Sequence, residues 1–451
     1  MQNLLDAFSP VSSEEWMKQI EKELKGKSPE ILDWKISDNL ILKPFYLADD
    51  LSVSKAKEKV SLSQQREICE YIQALHPETA NKQALKALMQ GANSLHFNCI
   101  NADISSDYFE QLLNEIQWQY IQIHFTINQG VEFVQALNEW CMNKKIKTSD
   151  LKGSICFDIY HRELVKGIAA DEKNYELFIS SVNKFFPALS NVCVNAASYL
   201  NAGADVIQEL AYTCAHINEY LNLLSNANLL KQINAIQIQL AVGSNYLVEI
   251  AKLRALRLLL ASITDKYDLK SEVFIYAYTA TINKSHKDAY NNMLRATTEV
   301  MSAIIGGANQ ISAMPYDDIS AETSDFSMRI ARNISLILSE ESYLDKVIDP
   351  AAGSYMLEKL TAELAQKSWE KFCSIENKGG WKALLHNGEM IKDIESNAER
   401  LIEEYRNNKK VLIGVKKYPN KNDKELAILT KDAKATSEPN TLTELIVSSM
   451  L

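Results

Sequence analysis

The chain has 451 residues, 46% of them apolar and 24% charged, and a formal net charge of -10. That composition is globular, and its acidic balance argues against sequence-independent binding to nucleic acid or an anionic membrane. No apolar run approaches the roughly 18–20 residues that cross a bilayer. The N-terminal "MQNLLDAFSPVSSEEW" has no basic region leading into an apolar core, so no signal peptide is read. The seven cysteines are scattered and form no CxxC. A reduced, cytoplasmic setting is therefore expected, without disulfides or a thiolate metal site.

In chain order, residues 1–77 read as an N-terminal arm. It holds the amphipathic helix "SSEEWMKQIEKELK", then "LILKPFYLADDL" and a Lys- and Ser-bearing segment. A second amphipathic helix, "ETANKQALKALMQ", opens residues 78–374. Eight short β-rich stretches follow at 94–100, 120–127, 154–159, 191–197, 235–242, 273–279, 309–314 and 346–352, each leading into a stretch of helical period. In the helix after the fourth, Ile207, Leu210, Cys214, Ile217, Leu221 and Leu224 share one face. After the fifth, Ser244 is placed to cap "NYLVEIAKLRALRLLLASI", which is apolar nearly all round and so expected to be buried on more than one side. Eight strand–helix pairs predict an α/β fold of the (β/α)8 TIM-barrel type, with a doubly wound open sheet as the alternative. Residues 375–451 read as a C-terminal helical extension and tail. They contain the charged helix "GEMIKDIESNAERLIEEYRNNKK", a short strand "VLIGV", a turn "KYPNKNDK" and a polar, mobile "KDAKATSEPNTL".

Barrel enzymes keep their catalytic groups at the C-terminal ends of the strands. The expected tips offer Asn101, Asp158, His161, Asn195, Ser198, Thr279, Ser312, Met314 and Asp349, but no lysine for a Schiff base and no HxH or HExxH pair for a metal. Asp158 and His161 could do acid–base work. The plainer reading has Asp158 capping the next segment and His161 on the surface. His124 reads as a core histidine with a satisfied hydrogen bond, and Asp349 before Pro350 as a turn former. "GG" at 306–307 follows a helix and precedes a strand, which suits a helix C-cap rather than a phosphate cradle.

Several stretches resemble the methylmalonyl-CoA mutase family: "ELAYT" (209–213), "VEIAKLRALRLL" (248–259), "AYNNMLRATTEVMSAIIGGANQISAMPYDD" (289–318), "TSDFSMRIARNISLILSEES" (323–342) and "VIDPAAGSYMLEKLTAELAQKSWEKF" (347–372). The phrase around Asp349, Gly353, Ser354 and Tyr355 is close to a family signature. "FSPVSSEEWMKQIEKELKG" and "LILKPFYLADDL" look like the family's small (beta) subunit. The resemblance implies a barrel that binds acyl-CoA along its axis, joined to a cobalamin-binding domain. Adenosylcobalamin then drives a radical 1,2-rearrangement between succinyl-CoA and (R)-methylmalonyl-CoA.

Against the family's catalytic phrases this chain departs. "NAASYLNAG" stands where "SGYHMQEAG" would, which puts Ser198 at a histidine's place. "IYAYTATIN" has no cation where "RTHCQTSG" has an arginine. "GGANQISAMPYD" stands for "GGTQSLHTN", so Ser312, Ala313 and Met314 replace histidine, threonine and asparagine. No DxHxxG phrase follows. The resemblance therefore implies a small subunit with no catalytic, cofactor-binding or metal-binding residues of its own. Its partner would be a large (alpha) subunit that holds adenosylcobalamin and turns over the acyl-CoA, with residues 1–60 as an arm around it. Two alternatives stay open: the active barrel of a split mutase using a separate cobalamin chain, and an orphan barrel that binds acyl-CoA for regulation.

Overall fold

The computed structural model describes residues 11–37, 40–51, 66–105, 107–320, 323–420, 425–427 and 440–451. The Lys- and Ser-bearing segment at 52–65, the end of the "KYPNKNDK" turn and most of the polar "KDAKATSEPNTL" stretch lie outside the described residues.

The arm begins with helix Ser13–Glu23, set by a capping box in which Ser12 and Glu15 satisfy each other's backbone N–H groups. A short antiparallel pair follows, β1 (Trp34–Ser37) with β2 (Leu40–Leu42). Leu40 and Leu42 face the core, while Ile41 faces out.

All further strands are parallel and belong to one sheet: β3 (Glu67–Gln73), β4 (Ser94–Asn98), β5 (Gln122–Thr126), β6 (Lys152–Cys156), β7 (Leu189–Ser190), β8 (Val192–Asn195), β9 (Ala235–Val242), β10 (Glu272–Thr279) and β11 (Gln310–Ser312). Their order is β7-β6-β5-β4-β3-β11-β10-β9-β8. The two ends of that order are consecutive in the chain. β7 pairs with β6 and β8 with β9, and only Asn191 lies between them. The sheet is thus a barrel with eight strand positions, closed at a seam one residue wide. Asn191 ties the seam to the loop before β9, donating to Gln232 O at 2.8 Å and accepting from Asn234 N at 2.9 Å.

The (β/α)8 reading is right, but one strand is not where the sequence placed it. Residues 346–352 form turns, with Val347 and Ile348 exposed. The position is filled by β3, from the stretch read as the arm, which pairs β11 on one side and β4 on the other. "EICEYIQ" misleads because Glu67, Glu70 and Gln73 interrupt its apolar residues, whereas "KVIDPAA" has apolar residues that are mostly exposed. "VLIGV" likewise contributes only an isolated bridge, Ile413 to Lys417.

Alternation along the strands separates two environments. Leu95, Phe97, Ile123, Phe125, Ile155, Ile236, Ile238 and Ile275 face the helices and form the main apolar core. Helix Val206–Asn226 buries Ile207, Leu210, Cys214, Ile217, Leu221 and Leu224 as expected. Each fully buried aliphatic side chain contributes about 2 kcal/mol. Helix Tyr246–Lys266 is buried over most of its surface, though its N-cap is Asn245, not Ser244. After helix Tyr355–Asn377, the extension continues as helices Gly380–His386 and Glu389–Arg406. It is fastened to the barrel by Trp381, fully buried, whose indole N–H donates to Tyr199 OH at 2.7 Å.

The two glycines at 306–307 end helix Asn291–Ile305 and lead into β11. Gly307 takes φ +85° and its N–H returns to Ile304 O, so the helix C-cap reading holds.

Candidate functional site

The strands' inward positions carry hydrogen-bonding and aromatic side chains. Contacts between strands that are not neighbours in the sheet can be made only through the interior, and several exist. Gln237 on β9 accepts from Ser154 on β6 at 2.9 Å and donates to Gln310 on β11 at 3.0 Å. His96 on β4 stacks on Tyr276 of β10 with ring centroids 5.1 Å apart, and Tyr71 of β3 lies 5.3 Å from the same imidazole. His124 bonds Glu67 Oε2 at 2.8 Å and Ser154 Oγ at 2.9 Å, which is the satisfied core histidine expected. Burial pushes the His96 imidazole well below its ordinary pKa, so it is neutral. Toward the strands' N-terminal ends the barrel opens into a cavity of about 320 Å3, lined by Glu67, His124, Gln237 and Gln310 among others.

At the C-terminal ends, Asp158 caps helix Ile159–Lys166. Its carboxylate accepts from His161 N (2.9 Å), Asn195 N (2.7 Å), Tyr220 OH (2.7 Å) and His216 Nε2 (3.1 Å). Burial alone would raise its pKa. The His216 charge and these hydrogen bonds overcome that and hold it at about 2. His216 Nδ1 meets Tyr199 OH at 3.2 Å, so the line from Trp381 through Tyr199 and His216 ends on Asp158.

His161 is not on the surface. Its Nε2 lies 2.9 Å from Ser198 Oγ, and Ser198 donates to Glu444 Oε1 at 3.1 Å. Asp158 and His161 are therefore close, but the carboxylate meets the His161 backbone and not its ring. Ser312, 1% exposed, accepts from Tyr276 OH at 2.9 Å and donates to Cys69 O at 2.7 Å. Ala313 packs on the core, and the Met314 N–H donates to Thr279 Oγ1 at 3.0 Å. Ser198 and Ser312 are engaged by internal hydrogen bonds and Ala313 by packing, while the Met314 side chain is half-buried.

Asp349 forms a turn with Ala352 and is also held by Arg254, whose guanidinium reaches Glu358 at 2.8 Å as well. Deeper in the same helix, Lys252 is fully buried between Glu209 (2.9 Å), Glu249 (2.7 Å) and Ala241 O (2.8 Å). The sequence reading missed both clusters and Glu444. The charged residues inside the otherwise apolar "VEIAKLRALRLL" were a signal for the first two, because a cation on a buried helix face needs a buried partner.

This arrangement is a (β/α)8 barrel with an internally bonded interior. A family profile described as methylmalonyl-CoA mutase matches residues 99–445. The chain belongs to the methylmalonyl-CoA mutase family. It is 31% identical to a methylmalonyl-CoA mutase small subunit from Porphyromonas gingivalis, over 93% of this chain and 71% of that protein. It is 29% identical to a methylmalonyl-CoA mutase from Cereibacter sphaeroides over 92% of this chain, and spans 66% of that relative's length. A methylmalonyl-CoA mutase large subunit from Streptomyces virginiae is 29% identical over 71% of this chain and 46% of its own length.

Proposed function

We propose that this chain is the non-catalytic small subunit of a heterodimeric, adenosylcobalamin-dependent methylmalonyl-CoA mutase, whose large subunit carries the succinyl-CoA/(R)-methylmalonyl-CoA isomerisation. The observation that carries this reading is the fate of the positions where the family's catalytic phrases hold polar groups. Ser198 and Ser312 are tied into internal hydrogen bonds, Ala313 is apolar and Met314 has no ionisable group. The rings of Tyr71, His96 and Tyr276 meet through the interior, across the path an axial acyl-CoA would take.

The residues here also fit a corrin poorly. Among the described residues no group of three His, Cys, Asp or Glu could hold a metal. His96, His124, His161 and His216 are engaged inside the barrel wall or its interior. In this reading adenosylcobalamin is held by the partner, as the family resemblance implies. The arm offers a surface for that partner: Trp16, Ile31, Leu32, Trp34 and Ile41 are exposed apolar side chains on the segment ahead of the barrel. Six buried free cysteines suit a reducing, cytoplasmic setting, and no described helix is long and apolar enough to cross a membrane.

The test is succinyl-CoA isomerisation with adenosylcobalamin, using this chain alone, with a free cobalamin-domain chain, and with the large subunit. Turnover is expected only in the third mixture, together with a stable complex of the two chains. Turnover in the second would mean an active split barrel. Acyl-CoA binding by the isolated chain, without complex formation, would mean a regulatory barrel.

A further inference from the structure

The C-terminal segment does not lie over the outside of the protein. It crosses the barrel's mouth, the face where (β/α)8 enzymes keep their active sites. Three backbone bonds pin it to helix Ile159–Lys166, to the short helix Ala197–Asn201 and to the loop after β10. Leu442 N donates to Leu164 O at 2.8 Å, Leu445 N to Asn201 O at 2.8 Å, and Val447 N to Ile282 O at 3.0 Å. Those acceptors follow β6, β8 and β10, so the segment spans the mouth from one wall to another.

Its side chains divide the same surface. Val447 is 1% exposed and, with Leu445 and Leu451, packs into an apolar cluster separate from the main core, formed by Ala197, Ala241, Ala280 and Ile282 of the barrel and by Tyr405 and Leu412 of the extension. Of the barrel residues, Ala241 belongs to β9, and Ala197, Ala280 and Ile282 follow β8 and β10. The three alanines leave room beside them for the tail's larger side chains. Polar contacts flank it. Glu444 accepts from Ser198, which in turn is held by His161, and Ser448 Oγ meets both His286 N (3.3 Å) and His286 Nδ1 (2.9 Å).

We propose that the barrel mouth is a binding site for an extended peptide segment bearing one carboxylate and alternate aliphatic side chains, occupied in cis by residues 441–451 as a displaceable plug. Two features separate a plug from a core element. Leu442 packs in the barrel core, but the cluster that Leu445, Val447 and Leu451 enter is separate from it. Its backbone bonds go singly, to two helices and one loop, and join no ladder. Both are marks of a unit that opens on its own, at lower cost than the barrel it covers. The plug is a property of this chain alone, so its failure would leave the subunit assignment standing, and the reverse.

The experiment compares the full chain with one ending at Asn440, using a labelled synthetic peptide of residues 441–451 and an apolar fluorescent dye. The shortened chain is expected to bind one dye, to bind the peptide with displacement of that dye, and to bind a Glu444→Ala peptide about ten-fold more weakly. The full chain should bind neither. A shortened chain that keeps its near-UV circular dichroism but takes up neither probe overturns the proposal. Amide exchange in the intact chain covers the case in which the shortened chain does not fold. Leu442, Leu445 and Val447 should exchange at least ten-fold faster than Ile238 and Leu240 of β9. Exchange at one common rate would make the tail part of the core and overturn the plug.

Discussion

Tyr276 and Ser312 sit on adjacent strands, and the tyrosine hydroxyl donates to the serine at 2.9 Å while the serine donates to Cys69 O at 2.7 Å. A single hydroxyl thus joins β10, β11 and β3 at a position where the family's catalytic phrase has histidine. Ser312→Ala is expected to lower stability by about 1–2 kcal/mol, because it leaves a buried phenol and a buried carbonyl short of a partner. Ser312→His should cost more, about 2–3 kcal/mol, by overpacking the space beside Tyr276. Urea midpoints of the two variants test this, and a stabilised Ser312→His protein would contradict it.

Gly153 on β6 has φ +130°, and a Cβ there would lie 1.9 Å from Ile123 O of the neighbouring strand. That atom is backbone and cannot swing aside. Gly153→Ala should therefore cost at least about 3 kcal/mol, from both the left-handed backbone and the broken approach of β5 to β6. A thermal midpoint within a few degrees of the parent would refute the geometry.

Arg254 neutralises Asp349 and Glu358 from a nearly buried position. Arg254→Met strands both carboxylates, at a cost of about 3 kcal/mol. Arg254→Lys keeps the charge but loses the fork that reaches both, so its cost is smaller, about 1–2 kcal/mol. In both variants the amides of residues 351–354 should exchange faster, while those of β9 keep their rates.

Asp158 titrates at about 2 in the folded chain, below the ordinary carboxylate value. A depressed carboxyl pKa stabilises the fold above the unfolded pKa near 4, and that contribution is lost as pH falls through the folded value. It amounts to about 2 kcal/mol between roughly pH 4 and pH 2. Asp158→Asn should be less stable at pH 7, and its stability should fall less steeply across that acid window. An unchanged slope would mean that the four donors around Asp158 do not favour its charged form.

The number of strands was legible in the sequence, but one member of the set was not. Strands such as "AIQIQLAV" show an apolar face against the helices, and their inward glutamines did not hide it. β3 was missed because Glu67, Glu70 and Gln73 break the apolar signal. Only the ladders to β4 and β11, the latter 243 residues away by the Gln310 to Glu67 register, make the stretch a strand. Asp158 was read as a cap and is one. His161 could not be placed from its neighbours, because its orientation is set by Ser198, and Ser198 is engaged by Glu444 from the far end of the chain. Local periodicity carries no information about such partners. The family resemblance singled out Ser198 and Ser312 as altered, but only the structure says what the two hydroxyls do instead.

The closing joint of the barrel has a kinetic consequence. From β3 to β7, and again from β8 to β11, every strand pairs with its neighbour in sequence. Asn191 joins the two runs covalently, so each half can assemble from contacts that are close along the chain. What remains is one long-range event, the docking of β11 on β3 through the two-residue register Gln310 to Glu67 and Ile311 to Ile68. Loop-closure entropy for the whole ring falls on that short ladder. Substitutions at Glu67, Ile68 and Ile311 should then slow refolding, while changes within either half act mainly on the unfolding rate.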